Sequence, residues 1–531
     1  MSKYFTTRCS SIAMIHWLIL FVFVVLELYL YDAKIDEYNY SLILFYVFSF
    51  IIAQIFLYIW NLKKHETILY LLYYLSSITT ISSKSLLSLV ISFEFMSLSA
   101  LMIIAADSVG NNKKAVIHYS CVHFLAGVLL LIGSFGGVLS VVKHSYDDYC
   151  RLCFLVGLLI NCACFPLSSW VTDSYSSALN NSIIVLSVFT TKVSAFVLLF
   201  FFQGESILLF LGIATSVYGI VFSVLENNIK RLLCYNLVGQ MGLVITAIGF
   251  SYSGDVDVHG VIVLQIVLSI VYQTLLFMVA MSVINSTQKF NLNEVGGLFK
   301  KMPMEAICSA VAIFTMGALP GTGGFVSKLL ITHNVDNFDP TNVLISKLFL
   351  GCSILLFISV GVKFFWYVFI SKSKENTVIK KVCIASRLSM LILTLVCIFF
   401  GVFSSYYVFH NLDPETLDSI ILQCELIFGS ILFFIVFRSV FSGRVNFNMD
   451  IDWVYRVLFM RIIYIICDFL LYIFSILVTM FSYVFSNKML LCSKSGKEVL
   501  NIASVNPLGF MILLSMLFVI VMVIVYLCLS L

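Results

Sequence analysis

Charge is scarce in this chain. Asp, Glu, Lys and Arg make up 11% of its 531 residues, where a soluble domain carries roughly a quarter. So few charges cannot cover a large water-facing surface, and a large soluble domain is excluded. The formal net charge of +4 leaves no electrostatic footprint for nucleic acid. Metal-site spacing is lacking too. The 15 cysteines lie mostly in apolar runs, and Cys150 and Cys153 form one CxxC with no second pair to match it, whereas a structural zinc site takes about four ligands. His118 and His123 stand five apart and share a helix face poorly, so no metal site is expected. There is no P-loop, no dinucleotide-binding glycine fingerprint and no haem-attachment motif. ATP hydrolysis and a bound redox cofactor therefore have no support, and no cofactor is expected. No A-x-A-like cleavage site follows the first apolar run, so Ile12–Leu30 reads as a retained helix.

Apolar sequence fills the space that charge leaves. Hydrophobic residues reach 61%, and many runs attain the ~20 residues that cross a bilayer as helix. Sixteen candidate spans are expected, with cores near 12–31, 40–60, 66–82, 84–106, 115–142, 152–172, 178–203, 206–225, 231–251, 259–284, 304–332, 343–371, 386–409, 417–440, 455–486 and 508–530. The fold class is an all-α polytopic membrane protein of about 14–16 transmembrane helices. Its expected divisions are 1–83, 84–371 and 372–531. Loops alternate in charge. Lys63-Lys64, Lys113-Lys114, Lys230-Arg231, Lys300-Lys301 and the stretch SKSKENTVIKK fall on one side, and YDAKIDEY, HSYDDY, YSGDVDVH, HNVDNFDP and HNLDPETLD on the other. Basic loops face the cytoplasm, so Lys230 and Arg231 are expected as cytoplasmic anchors. The loop carrying Lys488, Lys494 and Lys497 breaks the alternation.

Against this background, ionisable residues inside spans stand out. Each costs at least ~2.5 kcal/mol at a helix centre, so it normally faces a polar interior. Glu94 lies in LLSLVISFEFMSLSALMIIA, Lys192 in SIIVLSVFTTKVSAFVLLFFF, Lys328 in LPGTGGFVSKLLI and Lys363 in ILLFISVGVKFFWYVF. Snorkelling toward a helix end suits Lys363 best. The stretch around Lys328 also holds Pro320, Gly321, Gly323 and Gly324. Pro320 lacks the N–H that a helical ladder needs. Irregular backbone at membrane depth is tolerated only against protein or a water-filled cavity. A broken helix with a lysine beside the break is one way to build an ion site, and a simple proline kink is the other reading of the stretch.

In order along the chain stand FEFMSL, FPLSSWVTDSYSSA with TTKVSAF, NNIKRLLCYNLVGQMG, QTLLFMVAMSVI, GGLFKKMPM and LPGTGGFVSK. Together they resemble the antiporter-like membrane subunits shared by respiratory complex I and the multisubunit Na+/H+ (Mrp-type) antiporters, over about Phe93–Ile331. A further stretch, NMDIDWVYR at Asn448–Arg456, looks like the tail of the D-type member of the antiporter assemblies. The resemblance implies two inverted repeats with discontinuous helices and a midplane chain of charged residues and water that moves protons. It implies a proton relay of Glu94, Lys192 and Lys328, with Lys363 as a possible accessory. It also implies a place in a multisubunit assembly of the bacterial inner (cytoplasmic) membrane, handling protons and a monovalent cation such as sodium. Any oxidoreductase chemistry would lie in partner subunits.

The chain departs from the family pattern at alternate relay positions. A lysine nine residues before the Trp of PLxxW is replaced by Asn161, counted back from Trp170. A later lysine, with a histidine four residues before it, is replaced by Gln273 and Ser269. The segment Asp173–Asn181 also lacks the family's proline, and SSALNN is expected to bend the chain in its place. Asn and Gln order water but do not titrate near neutral pH, so charge-to-charge coupling is thinned. Three readings stay open: an active antiporter subunit with a thinned relay, a non-pumping scaffold, and a proton-pumping membrane subunit of an NADH:quinone oxidoreductase.

Overall fold

The computed structural model describes residues 37–439 and Phe441, apart from 60–62, 107–112, 140–143, 252–257, 334, 336–339, 373–379 and 411–413. The expected spans 12–31, 455–486 and 508–530 and the NMDIDWVYR stretch lie outside the described residues. The other thirteen fall on helix. In lipid, a helix is one of the two structures that satisfy every backbone polar group within themselves. The helices are α1 Glu37–Tyr58, α2 Lys64–Ile81, α3 Leu86–Ala106, α4 Lys113–Leu139, α5 His144–Asn161, α6 Asn180–Leu186, α7 Thr190–Phe202, α8 Ser206–Leu225, α9 Ile229–Gly249, α10 Val258–Thr287, α11 Pro303–Met316, α12 Gly323–His333, α13 Pro340–Leu356, α14 Ile384–His410 and α15 Pro414–Phe437. Ten helical segments among the described residues are long and apolar enough to cross a membrane, and the chain is a multi-pass membrane protein. HSYDDY, expected in a loop, opens α5 and reaches Tyr149 in helix.

Burial separates a centre from a rim. α9 and α10 are buried along nearly all their length, whereas α15 exposes Leu422, Phe428, Leu432 and Val436 on its outer face. Polar residues follow the same division: Asn236, Gln240, Gln265 and Gln273 all sit in the buried centre. α8 meets α9 backbone to backbone. A Cβ on Gly219 would stand 2.7 Å from the Gly239 Cα, and one on Gly242 2.5 Å from the Ser216 amide. Such small-residue seams let membrane helices approach closely. Asn228 starts α9 by accepting the Lys230 and Arg231 amides with its side chain, a standard N-cap.

Three interruptions break the expected spans. α5 stops at Asn161, and the chain turns through 162–168, with Ala163 at φ +59° and Pro166 in the turn, before helical backbone resumes at 169–177. The span 178–203 is split at 187–189 into α6 and α7. The span 304–332 is split at 317–322 into α11 and α12. In this last break Gly321 adopts φ +87°, a region that glycine enters freely. Gly324 lies so close to α11 that a Cβ would fall 1.9 Å from the Thr315 carbonyl oxygen. SSALNN bends the chain ahead of α6 as expected, but a second break lies further on, at 187–189, beside Lys192. α13 runs on through two wide-turn segments to Ile370, with Lys363 between them.

Candidate functional site: buried charges at helix ends

Four lysines are buried among the described residues: Lys192, Lys230, Lys328 and Lys363. Each places its ammonium on carbonyl oxygens where a helix ends. The last four carbonyls of a helix lack intrahelical donors and carry its negative dipole end, so a cation is favoured there. Lys192 Nζ donates to the Ser187 carbonyl at the end of α6, at 2.9 Å. Lys328 Nζ donates to the Met316 carbonyl closing α11 and to Ser353 Oγ of α13, both at 2.6 Å. Lys230, expected at the cytoplasmic surface, instead reaches inward to the Ala178 carbonyl at 2.7 Å, with its ammonium 5.8 Å from the Phe290 ring centre.

Lys363 differs in how completely it is held. Its ammonium donates to the Ser223, Val224 and Glu226 carbonyls at 2.8, 2.8 and 2.7 Å. Three bonds exhaust the three donors of an ammonium. The group therefore clamps the end of α8, and it does so from a side chain that is 1% exposed, which does not fit the expected snorkelling. Lys192 bonds to one partner and Lys328 to two, which leaves their ammonium groups donors to spare.

Glu94, at mid-length of α3, is also buried. Its carboxyl lies over Gly127 of α4, where a Cβ would stand 1.8 Å from Oε1. A glycine there is what gives the carboxyl room. Among the described residues no Lys or Arg stands within ion-pair distance of it. The carboxyl borders a crevice of about 10 Å³ lined by Ser97, Leu98, Tyr119, Ser120 and His123 among others, about the measure of one water molecule.

The neutral positions are buried too. Asn161 closes α5 with its Oδ1 unpartnered. Gln273, on α10, has neither amide atom paired. Ser269 turns its hydroxyl onto the Ile266 carbonyl at 2.6 Å. Near them, the Tyr272 hydroxyl donates to Gln240 Oε1 at 3.0 Å, and Ser327 of α12 donates to Gln265 Oε1 at 2.6 Å. Buried polar groups are normally satisfied by protein or ordered water, so unpaired amides along α5 and α10 mark positions suited to water.

Sequence reasoning missed three groups. Glu305, fully buried at the start of α11, accepts from Arg387 Nε of α14 at 2.9 Å. His118 and Asp173 approach to 3.6 Å. His123 is buried against Tyr119 and Trp170, with ring centres 4.1 and 4.5 Å away. The five-residue spacing argued against a histidine pair. The informative spacing is four, which puts Tyr119, His123 and Gly127 on one face of α4.

Comparison with known proteins bears on the family and the fold. The family model described as NADH:quinone oxidoreductase/Mrp antiporter, transmembrane region, matches residues 83–353. NADH-quinone oxidoreductase subunit N of Wolbachia sp. subsp. Brugia malayi is 25% identical over 337 residues, 58% of this chain and 68% of that protein. In the first curated relatives matched, the chain spans about a third of their length, 35%. A chain of the Mrp complex from a Dietzia species superposes with TM-score 0.60 at 16% identity, covering 77% of this chain and 85% of the other. A chain of respiratory complex I from Thermus thermophilus gives 0.58 at 18%, covering 74% and 92%. At these identities the two structures establish a shared fold.

Proposed function

Since the chain belongs to the family of membrane subunits shared by NADH:quinone oxidoreductase and the Mrp antiporters, we propose that it is a proton-conducting subunit of a multisubunit monovalent cation/proton antiporter, most like the D-type member of such an assembly. Protons pass along Glu94, Lys192 and Lys328. One observation carries the reading: Lys192 and Lys328 sit fully inside the protein, each on a carbonyl at a helix interruption, each with ammonium donors left over. An ammonium held by a helix end can lose or regain a proton while its anchor stays in place. Asn161 and Gln273 interrupt the sequence of charges and serve as water-ordering stations between them. The cation is sodium or a close relative, the partners are other membrane subunits, and the location is a bacterial inner membrane.

A second reading has support in the relatives' names: NADH-quinone oxidoreductase subunits M and N, and NAD(P)H-quinone oxidoreductase chain 4. On that reading the same path serves a redox-driven complex. The DIDWVYR stretch favours the antiporter. The deciding experiment uses everted vesicles carrying the complete native complex. Collapse of a pH gradient on addition of sodium is expected in the wild type and is expected to fail in Lys192→Met at unchanged assembly. Full collapse in that variant would make the chain a scaffold. Collapse that needs quinone turnover and ignores the cation would favour the redox complex.

A further inference from the structure

The gap left by Asn161 has another titratable group beside it. Resting on the proton-conducting reading above, we propose that His123 carries the proton across the step that a lysine at position 161 would otherwise serve, linking Glu94 to the Lys192 region. His123 shares its crevice with Glu94. It lies one helical turn from Gly127, over which the Glu94 carboxyl rests. On its other side lies the Asn161 side chain. His123 Nε2 and Asn161 Oδ1 are both buried, and neither makes a hydrogen bond of normal geometry. An imidazole offers what this position needs, since it accepts a proton at one nitrogen and releases one from the other. Asn161 offers only an amide.

Buried hydroxyls also lie around the histidine and beside Lys192. Tyr119 packs on His123 and also borders the Glu94 crevice. Tyr119 and Tyr175 both pack edge-on against Trp170, with hydroxyls that are buried and make no hydrogen bond of normal geometry. Thr190 pairs with the Tyr73 hydroxyl of α2 through its own hydroxyl and its amide. Lys192 follows two residues on. Other titratable groups nearby are His118 with Asp173, one turn and a residue before His123 on α4, and Cys121, on an exposed face. Proton transfer across this step breaks an N–H or O–H bond at each donor and forms one at the next acceptor, so no co-reactant is needed.

The test is sodium-driven proton flux per assembled complex, in vesicles carrying the whole assembly, for four forms: wild type, His123→Gln, His123→Gln with Asn161→Lys, and Lys192→Met. Gln keeps much of the volume and some polarity of His, so assembly is expected to hold. Flux is expected to fall at least tenfold in His123→Gln and to recover to within threefold in the double variant. A residue that merely packs would not be rescued by a lysine on a different helix. Wild-type flux in His123→Gln, or a loss that Asn161→Lys leaves untouched, overturns the assignment. Lys192→Met separates the two failures. If it abolishes flux while His123→Gln does not, only the histidine step is wrong. If it leaves flux intact, the conducting reading falls and the histidine step falls with it.

Discussion

Lys363→Met tests whether the number of partners sorts the buried lysines into clamps and carriers. The Lys363 ammonium closes three carbonyls at the end of α8. Removing it leaves Ser223, Val224 and Glu226 oxygens inside protein without that donor. A buried polar group stripped of its partner costs about 1–3 kcal/mol, so three carbonyls at the low end amount to about 3 kcal/mol. Removing the charge also relieves its own desolvation, but the carbonyls cannot be replaced with it, so the loss is not offset as it would be if a whole ion pair were swapped for apolar groups. Lys192→Met leaves a single carbonyl, that of Ser187, and about 1 kcal/mol by the same rule. The assay is paired: thermal stability of the purified complex in detergent, and proton flux per intact complex in vesicles. Lys363→Met is expected to lower stability clearly while each surviving complex keeps most of its flux. Lys192→Met is expected to do the reverse. Full stability with lost flux in Lys363→Met would refute the argument, because it would put a lysine with no spare donor among the carriers.

Three further outcomes are expected. Gly127→Ala places a Cβ 1.8 Å from the present position of Glu94 Oε1, so the carboxyl must move, and flux is expected to drop several-fold with assembly intact; unchanged flux would remove Glu94 from the path. Gln273→Lys puts a cation where two buried amide atoms now lack partners, and a gain in flux in the same vesicle assay is expected if the relay is thinned there, with no change pointing to a lost path. Arg387→Met leaves the fully buried Glu305 carboxyl without its partner; breaking a wholly buried pair costs about 3–5 kcal/mol, and a smaller cost is expected here because the Arg387 side chain is 36% exposed, so reduced assembly in membranes is expected and normal levels would contradict a structural role for the pair.

The parts of this molecule that were legible in the sequence are those written in local backbone chemistry. Apolar runs placed the ten described helical segments that are long and apolar enough to cross lipid, because length and hydropathy are what a spanning helix needs; the expected spans 66–82, 152–172 and 304–332 fall on helix but are not among those ten. Pro320 and the glycines around it located the break beside Lys328, because each alters the helical ladder itself. The break at 187–189 carried no such mark. Its sequence, Ser187-Val188-Phe189, is ordinary for a helix, and what sets it apart is side-chain bonding: Tyr73 of α2 takes the Thr190 amide and the nearby Lys192 takes the Ser187 carbonyl, so side chains satisfy groups that the ladder would have used. The same reason explains why Lys363 read as a snorkelling side chain and His123 only as half of an unsuitable histidine pair. A lysine in an apolar run reads identically whether it meets one carbonyl or three, and only the path of α8 past α13 supplies the other two. A histidine gains its meaning from Gly127 one turn away and from Asn161 on another helix. Charges in this protein are thus readable as exceptions to the bilayer, but their roles are set by which helix ends the fold brings to them.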